Sequence, residues 1–506
     1  MLDVSRKDLI LGIVGTGLMG RGIAQIAAQA EVRVILYDAR PDAATEARVF
    51  IRQTLDKLAQ KGKLTAADVD ASMARVDIAS SLEQLAPCHI VVEAIIEDMG
   101  AKRDLFNHLE NIVQDGCVLA TNTSSLSVTA IAAGCRLPSR VGGLHFFSPV
   151  PLMKVVEVID GMLTATWASD ALTALTERIG HTPVHAQDTP GFIVNHAGRG
   201  YGPEALRIVG EGIADVAEID QILRDAAGFR MGPFELFDLT GLDVSHPAME
   251  SIYNQYYQEP RYRPSPITRQ RLAAGLLGRK SGAGFYEYHD GQAKPSPGSS
   301  IPTLRPALVW ISRSNQVGHD KVRTLVQTLG GTIDEGILPT KDSLCVVLPI
   351  GTDATTTALA EGLDPTRTVA LDTLFLNRRR TVMTTPVTAA SQREAAHGLF
   401  AADGIPVSVI HDSPGFVAQR VVAMIVNIGC DIAQQRIASP NDIDRAVNLG
   451  LGYPKGPLAM GDALGASNVL AILDGMHALY RDPRYRPSPW LTRRAKLGIS
   501  LLTPEN

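Results

Sequence analysis

The sequence has little of what marks several classes of protein. Its five cysteines are scattered with no C-x-x-C pair, so they are interpreted as reduced thiols in a reducing compartment, and no metal site is predicted. No apolar run reaches the ~18 residues that a membrane span needs. The longest run, 421–433, contains Asn427 and Asp431 and predicts a buried helix instead.

An excess of basic residues is also missing. The chain carries 48 lysines and arginines against 53 acids, a net charge of -5, so no nucleic-acid partner is predicted. The first residues run directly into a strand and leave no room for a signal peptide, which favours a cytoplasmic location. A length of 506 residues, 45% of them hydrophobic, suits a globular protein of about three or more domains.

The front of the chain contains a dinucleotide-binding pattern. A short apolar strand at 9–14 enters the loop Gly-Thr-Gly-Leu-Met-Gly at 15–20, and a helical pattern follows. A second strand at 32–37 ends at Asp38. A lone G-x-G-x-x-G is weak evidence, but with both strands and the acid in place it predicts a Rossmann site.

Each residue type of this pattern has a physical task. Gly15 permits the tight turn, Gly17 lets the backbone approach a pyrophosphate, and Gly20 lets helix and strand pack closely. Leu18 and Met19 lie in the same loop, where the helix N-terminus favours phosphate charge. Asp38 is expected to bond the ribose hydroxyls and repel a 2′-phosphate, which favours NAD over NADP, although Arg40 lies two residues on.

A histidine and a carboxylate stand on neighbouring extended segments farther along. His145 ends an apolar run, a Pro-rich turn follows at 148–151, and a second strand-like run carries Glu157. A carboxylate that holds one ring nitrogen fixes the tautomer and leaves the other nitrogen to move a proton. The alternative is a buried core histidine with a satisfied partner. Because Ser124 follows the strand 117–121 directly, it is expected to face the same crevice as the pair.

The motifs together resemble the 3-hydroxyacyl-CoA dehydrogenase family. The resemblance covers residues 9–288 in order and spacing: IVGTGLMGRGIAQ, VEAIIED, TNTSSLS, GLHFFSPVPLMKVVEV, DTPGFIVN, MGPFELFDLTGLD and GRKSGAGFYEY. It implies an α/β Rossmann domain followed by all-α C-terminal domains of the 6-phosphogluconate-dehydrogenase-like type. It also implies NAD-dependent oxidation of an L-3-hydroxyacyl-CoA to the 3-ketoacyl-CoA, a step of fatty acid metabolism.

The resemblance implies roles for individual residues. His145 is implied as the catalytic base and Glu157 as its partner. Ser124 and Asn195 are implied as further catalytic residues that also hold substrate, Asn195 by holding the histidine and the acyl group. Implied at the cofactor, besides the glycine loop and Asp38, are Glu97, Lys102, Ser124, Ser148 and Lys280. Thr54 and Lys61 are implied at the CoA moiety, with less support from motifs. The chain writes HFFSP where the family writes HFFNP, so Ser148 replaces an asparagine and puts substrate preference in doubt.

The lysines at 57, 61 and 63 have two interpretations. They are a clamp for an anionic carrier or simply the solvated end of a helix, and the second is the more common case.

The chain also contains a large internal repeat. DTPGF begins at Asp188 and DSPGF at Asp412, 224 residues later, and PRYRPSP begins at both Pro260 and Pro483. The predicted domains are therefore an NAD-binding Rossmann domain, a first helical domain, a linker, a degenerate Rossmann-like segment and a second helical domain, at 1–187, 188–290, 291–306, 307–411 and 412–506.

The second copy is predicted to lack the chemistry. Aligning 384–386 (TTP) with 147–149 (FSP) puts Val382 at the place of His145 and leaves no strand for a counterpart of Glu157. Gln419 stands where Asn195 does, and 300–411 contains no G-x-G-x-x-G. One active site per chain is expected, in a monomer with an internal pseudo-dimer or in a homodimer.

Three functions remain open. The first is a dehydrogenase of 3-hydroxyadipyl-CoA, as in phenylacetate degradation, or of 3-hydroxybutyryl-CoA. A terminal carboxylate would need a cation, for which His196 and Arg199 are candidates. The second is an NAD-dependent dehydrogenase of a free hydroxy or sugar acid, and the third is a non-catalytic NAD-binding protein. The third should have lost His145 or Glu157, and both are present.

Overall fold

The chain folds into two compact units in the computed structural model, which describes residues 2–294 and 300–505. Unit 1 comprises Met1–His196 and Gln435–Leu451, and unit 2 comprises Ala197–Gln434 and Gly452–Asn506. These units differ from the five-part division predicted above, because most of both helical copies and the second sheet belong to unit 2. The predicted linker at 291–306 includes residues 295–299, which lie outside the described residues.

Unit 1 is built on an eight-stranded sheet of order β3-β2-β1-β4-β5-β6-β7-β8. β1 pairs in parallel with both β2 and β4, and β7 reverses direction against β6. The continuous apolar strands at its centre are typical of a parallel sheet buried on both faces. Its strands are β1 (Ile10–Val14), β2 (Arg33–Tyr37), β3 (Val76–Ile78), β4 (Ile90–Glu93), β5 (Val118–Thr121), β6 (Val141–Phe146), β7 (Val155–Asp160) and β8 (Thr182–Gln187).

Helices cover both faces of this sheet. The stretch after β2 forms two helices, the second of which begins with a capping box at Thr65 and Asp68. The helices of this unit are α1 (Leu18–Gln29), α2 (Ala43–Gln60), α3 (Ala66–Met73), α4 (Met99–Leu109), α5 (Val128–Ala132) and α6 (Thr166–Arg178), and α7 (Val194–Ala197) lies at its boundary.

One helix of unit 1 comes from the far end of the chain. Helix α17 (Pro440–Leu451) packs on β7 and β8, and the Gln187 N–H donates to the Ile437 carbonyl at 2.8 Å. The approach is close at Gly450, where an added Cβ would lie 3.0 Å from a methyl carbon of Val194. A sequence pattern predicts this helix but not its partner, since the partner depends on the tertiary fold.

Unit 2 contains a second, five-stranded sheet of order β11-β12-β13-β14-β15. Its third and fourth strands run antiparallel, and the remaining neighbours run parallel. β4 to β8 of unit 1 show the same order and the same reversal. The strands of unit 2 are β9 (Tyr288–His289), β10 (Gln292–Ala293), β11 (Leu308–Ile311), β12 (Ser343–Val347), β13 (Thr368–Leu371), β14 (Arg380–Thr384) and β15 (Val407–Ile410).

The rest of unit 2 is helical. The sequence-predicted buried helix is confirmed as α16 (Val417–Gln434), in which every residue from 417 to 433 is buried. Its Arg420 is fully buried and pairs with Glu204 at 2.8 Å. The other helices are α8 (Gly202–Gly210), α9 (Val216–Asp225), α10 (Pro233–Thr240), α11 (Leu242–Gln255), α12 (Pro266–Ala273), α13 (Gln316–Thr328), α14 (Ala354–Ala360), α15 (Ala390–Phe400), α18 (Pro457–Leu464), α19 (Ala466–Tyr480) and α20 (Pro489–Leu497).

Two general features of the chain complete the description. Within residues 2–294 and 300–505, no helix is both long enough and apolar enough to cross a membrane. None of the five cysteines forms a disulfide, and each is buried.

Candidate active site

The glycine loop between β1 and α1 has the geometry that its sequence predicts. Gly15 has a φ of +91°, and a Cβ there would lie 2.5 Å from the Ala94 carbonyl oxygen. A Cβ on Gly20 would lie 1.8 Å from the carbonyl oxygen of Gly15, so the helix could not pack on the strand. At Gly17 an added Cβ would meet nothing within 4 Å. The first and third glycines are therefore needed by the fold, and the second keeps space open at the loop.

Helix α1 begins at this open space with its N-terminal amides available. Its N-cap, Gly17, has no side-chain cap, and no acid lies in the first turn. Backbone N–H groups and a helix dipole that no side chain satisfies form a site for a phosphate group. Leu18 opens the helix, is 60% exposed, and is followed by Met19 in the same turn.

Asp38 lies at the end of β2 beside this loop. Its Oδ2 accepts the Thr16 N–H at 2.7 Å, and its Oδ1 accepts the Arg40 N–H at 2.9 Å. Burial alone would raise the pKa of Asp38, but these backbone hydrogen bonds hold it below its usual range. The Arg40 guanidinium pairs with Glu46 at 2.5 Å. An ionised acid is thus held beside the glycine loop, and these residues fit a dinucleotide without a 2′-phosphate.

His145 and Glu157 are brought together by strand pairing. They are directly opposite each other on the antiparallel pair β6 and β7, and His145 Nδ1 lies 2.6 Å from Glu157 Oε2. Both side chains are buried, with exposures of 6% and 0%. In the tautomer in which Nδ1–H donates to Glu157, Nε2 is the ring nitrogen with the free lone pair.

The other oxygen of Glu157 is fixed by the backbone. Its Oε1 accepts the N–H groups of Ile193 and Val194, each at 2.9 Å. The His145 ring packs beside Phe147 and Phe192, with centroid distances of 4.4 and 5.8 Å. The pair is therefore held from both sides, the carboxylate by hydrogen bonds and the imidazole by rings.

Ser124 follows β5, which is the neighbour of the strand that carries His145. The carboxylate of Glu97 holds the loop by hydrogen bonds. Its Oε1 accepts the Thr123 hydroxyl at 2.7 Å, the Ser124 N–H at 3.0 Å and the Ser125 hydroxyl at 2.9 Å. Burial alone would raise the pKa of Glu97, but the Thr123 hydroxyl and the charge of Lys102 hold it below its usual range. Glu97 is thus an ionised carboxylate beside Ser124.

The remaining sequence-predicted residues lie in varied settings. Ser148 is exposed and precedes Pro149 through a cis peptide bond, and Asn195 is half-buried next to Val194. Thr54 donates to the Phe50 carbonyl at 2.9 Å within α2, and Lys61 is exposed at the end of that helix. Lys280 belongs to unit 2, where it pairs with Asp243. The roles of these residues stay predictions.

Two residues of unit 1 have structural roles that the sequence motifs do not predict. Glu93 is fully buried at the end of β4 and pairs with Lys102 at 2.5 Å. Asp188 caps α5, since its Oδ2 accepts Thr129 N–H at 2.7 Å. Glu93 had a visible signal, because it is an acid at the end of an apolar strand within the VEAIIED motif.

The alignment of Val382 with His145 is wrong, because strand pairing places a different residue there. The N–H of Asp372 donates to the carbonyl of Thr381 across β13 and β14, the pair of strands that corresponds to β6 and β7. β14 is also the strand expected to be missing. The Thr-Thr-Pro match misled the alignment, because it lies at the end of β14 rather than of β13.

Asp372 has surroundings unlike those of His145. It is fully buried, and its Oδ1 accepts the Gln419 amide and the Leu374 N–H, both at 3.0 Å. Its Oδ2 has no hydrogen-bond partner. Burial raises the pKa of Asp372 to about 7. No arrangement here resembles the histidine–carboxylate pair.

The loop beside Asp372 is closed by tight backbone packing. Gly351 has a φ of +78°, and its N–H donates to the side-chain oxygen of Gln419 at 3.1 Å. A Cβ on Gly475 of α19 would lie 2.5 Å from the Gly351 carbonyl oxygen. Gly351 corresponds in the strand pairing to the loop that carries Ser124 and Ser125, so helix α19 packs directly on the backbone of the corresponding loop.

Two family models match the chain. The one described as 3-hydroxyacyl-CoA dehydrogenase, NAD binding domain, matches residues 10–189. The one described as 3-hydroxyacyl-CoA dehydrogenase, C-terminal domain, matches residues 191–288 and again 415–500.

Individual relatives match either nearly the whole chain or about half of it. The 3-hydroxyadipyl-CoA dehydrogenase of Escherichia coli is 37% identical over 488 residues, which cover 96% of this chain and 97% of that protein. A crystal structure of 3-hydroxybutyryl-CoA dehydrogenase from Escherichia coli superposes with a TM-score of 0.85 at 34% identity and covers 97% of this chain and 98% of that chain. The 3-hydroxybutyryl-CoA dehydrogenase of Clostridioides difficile is 37% identical, and the match covers 55% of this chain and 99% of that protein.

Proposed function

Since the chain belongs to the 3-hydroxyacyl-CoA dehydrogenase family, we propose that it oxidises an L-3-hydroxyacyl-CoA to the 3-ketoacyl-CoA with NAD. The observation that carries this function is the buried His145–Glu157 pair at 2.6 Å, in the same unit as the glycine loop and Asp38. A histidine with only a structural role in the core would not need a partner carboxylate that is itself fixed by two backbone N–H groups.

The tautomer of His145 determines which ring nitrogen accepts the substrate proton. His145 Nε2 accepts the proton of the C3 hydroxyl, and the imidazolium that forms is stabilised by Glu157 through Nδ1–H. NAD, when bound, accepts the hydride that leaves C3. A positioned base of this kind contributes roughly 10²–10⁴-fold to the rate. Burial of the pair keeps water from competing for the histidine.

The cofactor is assigned to the glycine loop and the acids near it. Gly15, Gly17 and Gly20 with Leu18 and Met19 would hold the pyrophosphate. Asp38 would hold the adenosine ribose. The residues proposed to line the rest of the NAD site are Glu97, Lys102, Ser124, Ser148 and Lys280.

The substrate is assigned to a second set of residues. Ser124 and Asn195 are proposed to hold the acyl group at the reacting carbon, and Thr54 and Lys61 the CoA moiety. The exposed positions on α2 suit the polar carrier better than the acyl chain.

We propose that the chain arose from a tandem duplication in which only the first copy kept an active site. The C-terminal family model matches twice, and β11 to β15 follow the order of β4 to β8. No strand among the described residues of unit 2 corresponds to β1 to β3, which carry the glycine loop. The five predicted domains at 1–187, 188–290, 291–306, 307–411 and 412–506 describe the duplicated sequence, whereas the two units describe its packing.

The two helical copies meet within unit 2 in a reciprocal way. Arg486 pairs with Glu259 at 2.9 Å, and the corresponding Arg263 pairs with Asp482 at 3.7 Å. The partners in each pair are exchanged between the PRYRPSP segments, as in a two-fold dimer interface. We therefore propose a monomer with an internal pseudo-dimer, which light scattering would test. A homodimer would show that a further self-associating surface remains.

The acyl group is the finer part of the proposal. The full-length relative named for 3-hydroxyadipyl-CoA supports a C6 chain with a terminal carboxylate, and the structure named for 3-hydroxybutyryl-CoA supports a C4 chain. His196 is fully buried in unit 1, and Arg199 lies in unit 2, where desolvation lowers its pKa to about 10. Arg199 therefore remains a cation at neutral pH, and its role stays a prediction.

One absorbance assay tests the function. Purified protein is mixed with NADH and acetoacetyl-CoA, and NADH loss is followed. Then C4, C6, long-chain and carboxylated 3-hydroxyacyl-CoAs are compared in the oxidative direction with NAD. Turnover of any of them supports the dehydrogenase. Turnover of free hydroxy acids alone would instead indicate a dehydrogenase of a free hydroxy or sugar acid. NADH binding without any turnover would indicate a non-catalytic NAD-binding protein.

A further inference from the structure

A buried ion pair lies beneath the proposed site and has no part in the proton or hydride transfer. Glu93, the last residue of β4, is 0% exposed, and Lys102 of α4 is 1% exposed. Their Oε1 and Nζ atoms are 2.5 Å apart. Burying two charges is expensive, and a buried pair often stabilises a fold no better than apolar residues would. Stability alone therefore does not explain the Glu93–Lys102 pair.

Both oxygens of Glu93 are held in place. Oε1 also accepts the Ile95 N–H at 2.7 Å, and Oε2 accepts the Thr121 hydroxyl at 2.7 Å. Thr121 ends β5, immediately before the loop that carries Ser124. The carboxylate thus ties the end of one strand to the end of the next.

Lys102 continues the connection toward the surface. Its Nζ lies 3.4 Å from Oε2 of Glu97, whose side chain is 37% exposed. The other oxygen of Glu97 accepts the backbone N–H groups of Ser124 and Ser125 at 3.0 and 3.1 Å. A continuous polar path therefore runs from Glu93 through Lys102 and Glu97 to Ser124.

We propose that Glu93 is a positioning residue that acts through Lys102 on Glu97 and so fixes the Ser124 loop at the cofactor. The inference rests on the proposed function only for the identity of the ligand, NAD. Glu93 balances one of the two acids that Lys102 faces. Without its charge, Lys102 has Glu97 as its single carboxylate partner along this path, and the Glu97–Ser124 contacts shift with it.

The matched variants are Glu93→Gln and Glu110→Gln. Glutamine at 93 keeps an oxygen for Lys102 and the size of the side chain but removes the charge. Glu110 is a buried carboxylate of the same unit that accepts the Arg136 and Leu137 N–H groups, away from Ser124. NADH affinity is measured by fluorescence titration and melting temperature by circular dichroism.

We expect Glu93→Gln to raise the Kd for NADH about three- to tenfold, and Glu110→Gln to change it less than twofold, even if both lower the melting temperature. The decisive measurement is a double-mutant cycle with Glu97→Gln. If Glu93 acts through Glu97, Glu93→Gln has little further effect on the Kd in the Glu97→Gln background. Effects that simply multiply would overturn the proposal.

A second variant tests the same role if Glu93→Gln fails to fold. Thr121→Val removes the hydroxyl that holds Oε2 but keeps every charge, and it should raise the Kd for NADH about twofold in the wild-type background and not in the Glu97→Gln background. An unchanged Kd in Thr121→Val and Glu93→Gln alike would count against the positioning role. Because the readout is NADH binding, a wild-type protein that binds NADH but turns over no 3-hydroxyacyl-CoA would refute the proposed function and leave this test intact.

Discussion

The sheets of the two units place different side chains at corresponding positions. Across β6 and β7, His145 faces Glu157 at 2.6 Å, and Glu157 is held by two backbone N–H groups. Across β13 and β14, the backbone of Asp372 bonds that of Thr381, and the Asp372 side chain turns to Gln419 instead. The same strand arrangement therefore holds a buried histidine–carboxylate pair in one place and an aspartate–glutamine contact in the other.

The difference extends to the loops around the two positions. In unit 1 the loop after β5 carries Ser124 and Ser125 on an ionised carboxylate, and Gly17 faces open space. In unit 2 the corresponding loop has Gly351, packed against the backbone of α19. The two loops therefore differ in what fixes them, since hydrogen bonds to a carboxylate hold the first and backbone packing on a helix holds the second.

The largest effect is expected from His145→Gln. Glutamine has no group that accepts and releases a proton near neutral pH, so turnover should fall roughly 10²–10⁴-fold. NADH affinity should stay within about threefold, because the glycine loop and Asp38 are untouched. The assay is NADH absorbance with acetoacetyl-CoA, and Asp372→Asn is the control with full activity. Unchanged turnover in His145→Gln would remove the asymmetry between the two sheets.

Much of unit 1 could be predicted from sequence because its signals are local. The glycine loop, Asp38 and the strands around His145 and Glu157 are encoded within short segments, and the structure brings the pair together as expected. The sequence alignment of the second sheet is wrong because it places His145 by a three-residue match at 384–386, which lies at the end of β14. Strand pairing depends on contacts between distant segments, which a single sequence does not reveal.

Glu93 and helix α17 show two other limits. Glu93 was visible as an acid in a motif, but its partners come from β5 and α4. Helix α17 was predicted as part of the second helical copy, yet it packs on the strand that carries Glu157. The packing of α17 on β7 leaves no mark in the sequence, since an amphipathic pattern shows that a helix is buried but not on what.

The closed loop of unit 2 is tested by Gly351→Ala. A Cβ would lie 2.5 Å from the Ile472 Cα, and overpacking costs about 1–3 kcal/mol. The φ of +78° adds about 1–2 kcal/mol of strain. The control is Gly362→Ala, whose φ is +67° and whose Cβ would meet nothing within 4 Å, so it isolates the strain. Denaturant unfolding measures both, and equal losses would show that the loop is not tightly packed.

The packing of helix α17 on unit 1 is tested by Gly450→Leu. A side chain here would press on Val194, whose N–H holds Glu157, so a loss of about 1–3 kcal/mol in stability is expected. Because small displacements of catalytic groups are costly, kcat should also fall about tenfold. Arg445→Leu is the control, since Arg445 is an exposed position of the same helix. If Gly450→Leu lost stability but kept its kcat, the second copy would support the fold of unit 1 but not its chemistry.

The smallest effect for a single step of the measurement concerns the ionisation of Asp372, which changes stability gradually with pH. Its folded-state pKa of about 7 lies above the value of about 3.9 expected for an unfolded chain. Between these values the folded state holds a proton that the unfolded state has lost, so the free energy of unfolding falls as pH rises from about 4 to 7. The slope from this one group is at most about 1.4 kcal/mol per pH unit.

Asp372→Asn should therefore remove about 1 kcal/mol per pH unit of this dependence and make the protein more stable than wild type above pH 7. Denaturant midpoints from pH 5 to 8 give the comparison. Asp334→Asn is a control of opposite sign, because the hydroxyl of Ser343 and backbone N–H groups lower the pKa of Asp334 to about 2. That variant should lose stability above pH 4, where wild type keeps its ionised acid. Parallel curves for Asp372→Asn and wild type would mean that Asp372 is ionised when folded, and that the second crevice holds a charge with an unrecognised partner.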